Sequence, residues 1–252
     1  MTQLYGTRVL ITGGTTGLGF AMARALAREG AAVVLTGRRS DTARAAAADL
    51  DGDVAAVVMD VREEASVASA VAEATDRLGG IDMLVNNAGI GMRTFNPRFL
   101  TDPEPFWTVP VDGFRAVIET NLTGYFLVAR AVVPQMLAGG GGRIVNVSMN
   151  HSTMNRKGFV PYGPSRAGAE ALSRIMAADL EGTNVSVNLL LPGGATATGM
   201  IPDELTREAR DALLDPDVMG PPVVWLASPE ARGVHDERIV AADFEAWVRE
   251  RS

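Results

Sequence analysis

The sequence predicts a single α/β domain, a doubly wound parallel sheet with helices on both faces. Three observations carry that prediction. Seven short apolar runs rich in β-branched residues recur along the 252 residues. Stretches of helical period separate them, and strand–helix alternation of this kind implies a parallel sheet. A glycine-rich turn joins the first run to the first helical stretch.

The strand candidates are Arg8–Thr12, Ala32–Thr36, Val54–Met59, Met83–Asn86, Arg143–Ser148, Val185–Leu190 and Arg238–Ala241. Their hydrophobicity is nearly continuous, as expected for strands covered on both faces. Helices are predicted near residues 17–29, 40–50, 63–78, 112–138, 162–181 and 204–214. No internal repeat, long linker or charge block divides the chain, so residues 1–252 read as one domain. The irregular stretch is Gly91–Asp112, which carries Phe95, Phe99, Phe106, Trp107 and four prolines. A structureless loop of this length is uncommon in a compact domain and is often functional.

Composition narrows the function. A net charge of −7 argues against nucleic acid or an anionic membrane as the main partner. The chain has no cysteine, which removes disulfides, thiolate nucleophiles and Cys-based metal sites. No run of 18 consecutive apolar residues is present, and a soluble, unexported, cytoplasmic protein is expected.

Val9-Leu10-Ile11 leads into Thr12-Gly13-Gly14-Thr15-Thr16-Gly17-Leu18-Gly19 and then an amphipathic helix. Glycines let backbone approach a pyrophosphate, and the helix N-terminus offers free N–H donors. This order of strand, turn and helix favours a dinucleotide site over a plain tight turn. The second strand ends Thr36-Gly37-Arg38-Arg39. An acidic residue there would hold the ribose 2′-hydroxyl of NAD. Two arginines suit the 2′-phosphate of NADP instead, so NADP is expected over NAD. Asp60, followed by Val61, closes the third strand and either accepts from an adenine amino group or caps the next helix.

With Asn86-Asn87-Ala88-Gly89 after the fourth strand, these motifs closely resemble the short-chain dehydrogenase/reductase family. The resemblance runs from Arg8 to about Ala242. It implies a Rossmann-like domain, a nicotinamide cofactor, a small-molecule carbonyl or alcohol substrate, and a homodimer or homotetramer. Asn87, Ala88 and Gly89 would lie along the cofactor. Pro192-Gly193 would pack on the nicotinamide, with Thr196 or Thr198 contacting its carboxamide or a phosphate. Asn121 resembles the family's helix asparagine, which holds a water in a proton relay.

The family's catalytic Tyr is matched by Tyr162, but its Lys four residues on is replaced by Arg166. On a helix the two share a face. The Arg keeps a positive charge that favours phenolate, yet its planar fork has a different reach from an ammonium. The alternative is that Arg166 turns outward to solvent. Thirteen residues before the Tyr, where the family places its Ser, stands Met149, which has nothing to donate. Ser148, Asn150 and His151 are the candidates to replace that Ser, with Ser152 also in range, and His151 is either a general acid or base or a plain loop His. On the substrate side, Phe95, Phe99, Phe106 and Trp107 either wall an apolar pocket or cover an edge or interface. The short segment after Met200 lies where the family carries its lid. Two altered catalytic positions also admit a protein of this fold that has left redox chemistry for cyclisation, elimination or isomerisation, or that only binds the cofactor.

Overall fold

A computed structural model describes residues 3–251. Seven parallel strands, β1 (Arg8–Ile11), β2 (Ala32–Gly37), β3 (Val54–Val58), β4 (Met83–Asn86), β5 (Gly142–Val147), β6 (Val185–Leu191) and β7 (Arg238–Val240), form one sheet in the order β3-β2-β1-β4-β5-β6-β7. The order reverses between β1 and β4, so the strand ends open a crevice there. Each strand lies within two residues of its expected bounds.

Helices cover both faces because each strand is apolar on both sides. On one face, α1 (Gly17–Arg28), α9 (Gly220–Ala227) and α10 (Phe244–Arg249) bury Met22, Leu26, Val223, Leu226 and Phe244 against Val9, Ile11 and Val33. On the other, α3 (Glu64–Leu78), α5 (Gly124–Ala138) and α7 (Tyr162–Asp179) bury Val67, Val71, Val128, Val132 and Ala177 against Leu10, Val34 and Ile144. The remaining helices are α2 (Ser40–Ala48), α4 (Val111–Ile118), α6 (His151–Met154) and α8 (Arg207–Asp211). The helix expected near 204–214 is only the short α8. The expected 112–138 helix is continuous from Val111 to Ala138, but one π turn, Glu119–Thr123, interrupts its register. By length and composition this helix could cross a membrane, yet 44% of its most apolar window is buried in the fold.

Polar groups tie the centre of the sheet together. Asn86 of β4 donates to Asn146 of β5 at 2.9 Å, and Asn146 donates to Ser173 of α7 at 2.8 Å. These bonds pair the Asn86 and Asn146 amide nitrogens in the core, while Asn86 Oδ1 stays buried without a partner. They also fix α7, and with it Tyr162 and Arg166, relative to the strand ends.

Candidate active site

The turn after β1 brings the backbone against the end of β4. Gly13 has φ +64° and Gly17 φ +57°, a left-handed region that a side chain enters at a cost. A Cβ on Gly13 would lie 2.7 Å from the Ala88 Cα. Thr12 Oγ1 accepts from the Asn87 and Ala88 N–H groups, each at 3.0 Å, and Asn87 Nδ2 donates back to the carbonyls of Thr12 and Gly13. Thr16, the N-cap of α1, makes no side-chain bond to the helix. The first N–H groups of α1 therefore stay available, and a dinucleotide's pyrophosphate fits this cradle.

A cavity of about 580 Å³ runs from this cradle past Tyr162. Of the expected cofactor residues, Gly13, Thr15, Thr16, Gly17, Leu18, Arg38, Asp60, Val61, Asn87, Ala88, Gly89, Pro192, Gly193, Thr196 and Thr198 line it. Gly19 and Arg39 do not. Gly19 instead allows α1 to pack on the β4 end, since a Cβ there would be 2.4 Å from Asn87 Nδ2. Arg39 pairs in solvent with Asp41 at 2.8 Å and borders a second, more open hollow with Thr15, Gly37, Arg38 and Thr42. Arg38 has no ion-pair partner among the described residues. Asp60 is not a helix cap, because Glu63 holds that position. Its carboxylate is held by Arg62 at 2.6 Å, which lowers its pKa against the opposing effect of burial.

Arg166 turns inward. It is only 3% exposed, so the solvent-facing alternative is ruled out. Its Nη1 donates to Tyr125 Oη at 2.7 Å and to the Val147 carbonyl at 2.9 Å. Its Cζ lies 5.3 Å from the centre of the Tyr162 ring and 5.7 Å from that of Tyr125. Burial opposes its charge, but the two tyrosines more than offset this, and its pKa lies above the ordinary guanidinium value. Burial likewise pushes the Tyr125 phenol up, against the lowering effect of Arg166. Tyr162 Oη opens on the cavity, with the Met200 sulfur at 3.9 Å and the Arg166 guanidinium as its hydrogen-bond partners.

The other expected catalytic residues disperse. Asn121, on the π turn, does not line the cavity: it bonds the Ile90 N–H and carbonyl and donates to Ser165 at 3.1 Å. Ser148 lines the cavity but donates to Glu170 at 2.5 Å. Asn150 lines it too, with its amide committed to the Gly193 carbonyl at 2.8 Å. His151 is absent from the lining; its ring is 64% exposed and pairs with Glu170 at 2.9 Å. A His as general acid or base is therefore not supported by its position. Glu170 gathers Ser148, His151 and Arg238, whose Nη2 donates to the Met149 carbonyl. Burial alone would raise the Glu170 pKa; the bonds from Ser148 and His151 and the Arg238 charge lower it.

Met149 packs with Tyr162, Met92, Phe99, Phe95, Leu100 and Phe159 in an apolar cluster. Phe99 meets Phe159 edge-on, with ring centres 5.6 Å apart. Part of the Gly91–Asp112 segment thus walls the cavity through Met92, Phe99 and Leu100. Phe106 and Trp107 do not; they are 68% and 74% exposed and pack on each other. Both lie on a short 3-10 turn at Phe106–Thr108, none of whose residues is buried. Arg93 of the same segment bonds the Ile201 carbonyl and ion-pairs with Asp203, joining the insert to the segment after Met200.

Residues 7–209 match the family profile of short-chain dehydrogenases. The chain belongs to the short-chain dehydrogenase family. A 3-oxoacyl-[acyl-carrier-protein] reductase of Vibrio cholerae is 32% identical over 94% of this chain and 96% of its own length. A 2,5-dichloro-2,5-cyclohexadiene-1,4-diol dehydrogenase of Sphingobium indicum is 30% identical over 91% and 92%. Among solved structures, a gluconate 5-dehydrogenase of Burkholderia cenocepacia in complex with NADP and tartrate superposes with a TM-score of 0.83, at 30% identity over 97% of each chain. A 3-ketoacyl-(acyl-carrier-protein) reductase of Brucella melitensis complexed with NADH gives 0.83 at 28% identity, over 94% of this chain and 97% of that one. These relatives are carbonyl and alcohol oxidoreductases, and they include both NADP and NADH complexes.

As a short-chain dehydrogenase the chain keeps the cofactor crevice and the Tyr but rebuilds what surrounds it. Sequence reasoning missed Tyr125, Glu170, Thr153 and Arg156. Thr153 lines the cavity and its hydroxyl has no intramolecular partner among the described residues. Arg156 lines the cavity with its guanidinium 5.3 Å from the Phe159 ring centre and no ion pair among the described residues. Counting from Tyr162 would have flagged Glu170, eight residues on and therefore on a nearby helical face, as a partner for the strand end. Nothing in the sequence marks Tyr125, since an apolar helix readily accommodates a phenol.

Proposed function

We propose that this chain is an NADP-dependent oxidoreductase that interconverts a carbonyl and an alcohol on a small to medium, partly apolar substrate. The observation that carries this reading is the placement of the Tyr162 hydroxyl in one cavity with the glycine cradle, facing an apolar wall. The NADP preference rests on Arg38, an unpaired guanidinium beside Thr15 where β2 ends without an acid. When bound, the nicotinamide supplies or accepts the hydride. Tyr162 holds the substrate oxygen and gives or takes its proton. Thr153 is proposed as the second donor to that oxygen, in place of the hydroxyl that Met149 lacks. Met92, Phe99, Leu100, Phe159 and Met200 exclude water from the reacting atoms. Arg156, which lines the cavity and has no ion pair among the described residues, suits substrates that carry a negative group.

The test is NADPH oxidation with a panel of aryl and alicyclic ketones, each as free acid and as methyl ester, with NADPH binding measured separately. Turnover with NADPH above NADH, abolished by Tyr162→Phe, supports the reading. Tight NADPH binding with no turnover would instead support a member of the fold that has left redox chemistry. The observation favouring that second reading is Met149, whose thioether cannot donate to a substrate oxygen. We also propose self-association, because Phe126 of α5 and Ile175 of α7 stay 45% and 59% exposed on helices of the same sheet face. Light scattering on the purified chain would read a monomer if this is wrong.

A further inference from the structure

We propose that Tyr125 is a positioning residue that makes Arg166 a working substitute for a lysine at the nicotinamide end of the cavity. The inference rests on the cofactor-binding part of the proposed function. A guanidinium has five N–H donors in a rigid fork, and all five can be followed here. The two on Nη1 are taken by Tyr125 Oη and the Val147 carbonyl, at 2.7 and 2.9 Å. The one on Nε is buried without a partner. Apart from the Tyr162 hydroxyl, whose hydrogen bond to the guanidinium helps to raise its pKa, the two on Nη2 find no partner among the described residues; Nη2 is not sealed off as Nε is, and Arg166 lines the cavity. The direction of Nη2 is marked by Gly89, where an added Cβ would sit 2.6 Å away from it.

Tyr125 is built for this one contact. It is 1% exposed, and its hydroxyl donates to the Val147 carbonyl at 3.1 Å while accepting from Arg166. The three groups close a triangle that clamps one prong of the fork. A lysine ammonium is a compact point charge and needs no such clamp. A planar guanidinium does, because rotation about its last bonds would sweep the free prong out of the cavity. Gly89 completes the arrangement by leaving room for that prong beside the Asn87–Gly89 segment. The Nη2 donors that Tyr162 does not engage are thereby offered to the nicotinamide half of a bound cofactor, and the orphaned Nε is the cost of the pose.

The experiment is a double-mutant cycle of Tyr125→Phe and Arg166→Lys, read by fluorescence titration with NADPH and NADP alongside circular dichroism of the free protein. Tyr125→Phe keeps the ring and removes only the clamp. With Arg166 present it is expected to weaken nucleotide binding about tenfold, the scale of one charged hydrogen bond. In the Arg166→Lys background the same change is expected to alter binding by less than about twofold. Where turnover is measurable, the loss falls on kcat and cofactor affinity and leaves the carbonyl KM unchanged. Equal weakening in both backgrounds, or none with Arg166, overturns the proposal. If Tyr125→Phe fails to fold beside Arg166 but folds when combined with Arg166→Lys, the dependence on the guanidinium is upheld; failure in both marks Tyr125 as purely structural and overturns it. The titration needs no substrate, so a chain that binds nucleotide but turns nothing over refutes the oxidoreductase reading while leaving this one testable. A chain that binds no nucleotide refutes both.

Discussion

Gly89→Ala is the substitution that most sharply probes the inward Arg166. The new Cβ would stand 2.6 Å from Nη2, and ordinary contact begins at 3.4 Å, so the guanidinium must retreat by about 0.8 Å (3.4 less 2.6). The tip of a surface arginine would move at little cost. Here the side chain is buried and Nη1 is held by bonds of 2.7 and 2.9 Å, which a shift of that size breaks or badly stretches. Bonds to a charged group contribute about 1.5–3 kcal/mol each. Partial relaxation, and a gain of about 0.4–1 kcal/mol from stiffening the unfolded chain, reduce the total. A net loss of about 2–4 kcal/mol is expected, which for a domain of this size lowers Tm by about 4–16 °C. The assay is thermal unfolding of Gly89→Ala, alone and combined with Arg166→Lys. The loss should nearly vanish in the Arg166→Lys background, where the slimmer ammonium leaves the space open. An equal loss in both backgrounds would assign the clash to Asn121 Oδ1, 3.2 Å from the same Cβ, and not to the guanidinium. No loss with Arg166 would place the guanidinium elsewhere.

Arg38→Ala should raise the NADPH dissociation constant about 10- to 100-fold and leave NADH nearly unchanged, whereas Arg39→Ala, already paired with Asp41, should alter neither; nucleotide titrations read both. Thr153→Val should lower kcat about 100-fold with unchanged nucleotide affinity if its hydroxyl serves the substrate oxygen, and steady-state kinetics on an active ketone would show it. Glu170 titrates below the ordinary glutamate value in the folded chain, so its stabilisation is present at neutral pH and is lost as pH falls through that lowered value. Glu170→Gln should therefore lower Tm at pH 7, and the gap from the unmodified chain should close on acidification below the ordinary carboxylate range.

The sheet was legible because strands buried on both faces leave nearly unbroken apolar runs, and all seven were found. The glycine turn was equally plain, since Gly13 and Gly17 need backbone that other residues avoid. Helices were harder where little apolar surface is buried. The short α8 and the missed α6 bury little, while α10, also missed, buries Phe244 but is only six residues long, too short for a periodic pattern to mark it. At the site, position in the chain identified Tyr162, Arg166 and Met149 but not their environments. Whether Arg166 turned in or out depended on Tyr125, forty-one residues away on another helix. His151 looked reactive beside the strand end, and only the packing of Glu170 showed that its ring faces away from the cavity. In the insert, alternation of aromatics and prolines did not tell Phe99, which is buried, from Phe106 and Trp107, which are not.

A cavity with Tyr162, an inward Arg166 and no serine at the Met149 position is proposed to move hydride. Single-turnover oxidation of bound NADPH by an aryl ketone, in the unmodified chain and in Tyr162→Phe, tests it most directly. Stoichiometric NADPH consumption by the unmodified chain is expected, with a loss of at least about 100-fold in Tyr162→Phe, while both bind NADPH equally. Saturable NADPH binding with no consumption across the ketone panel, or a rate that Tyr162→Phe leaves intact, would contradict it.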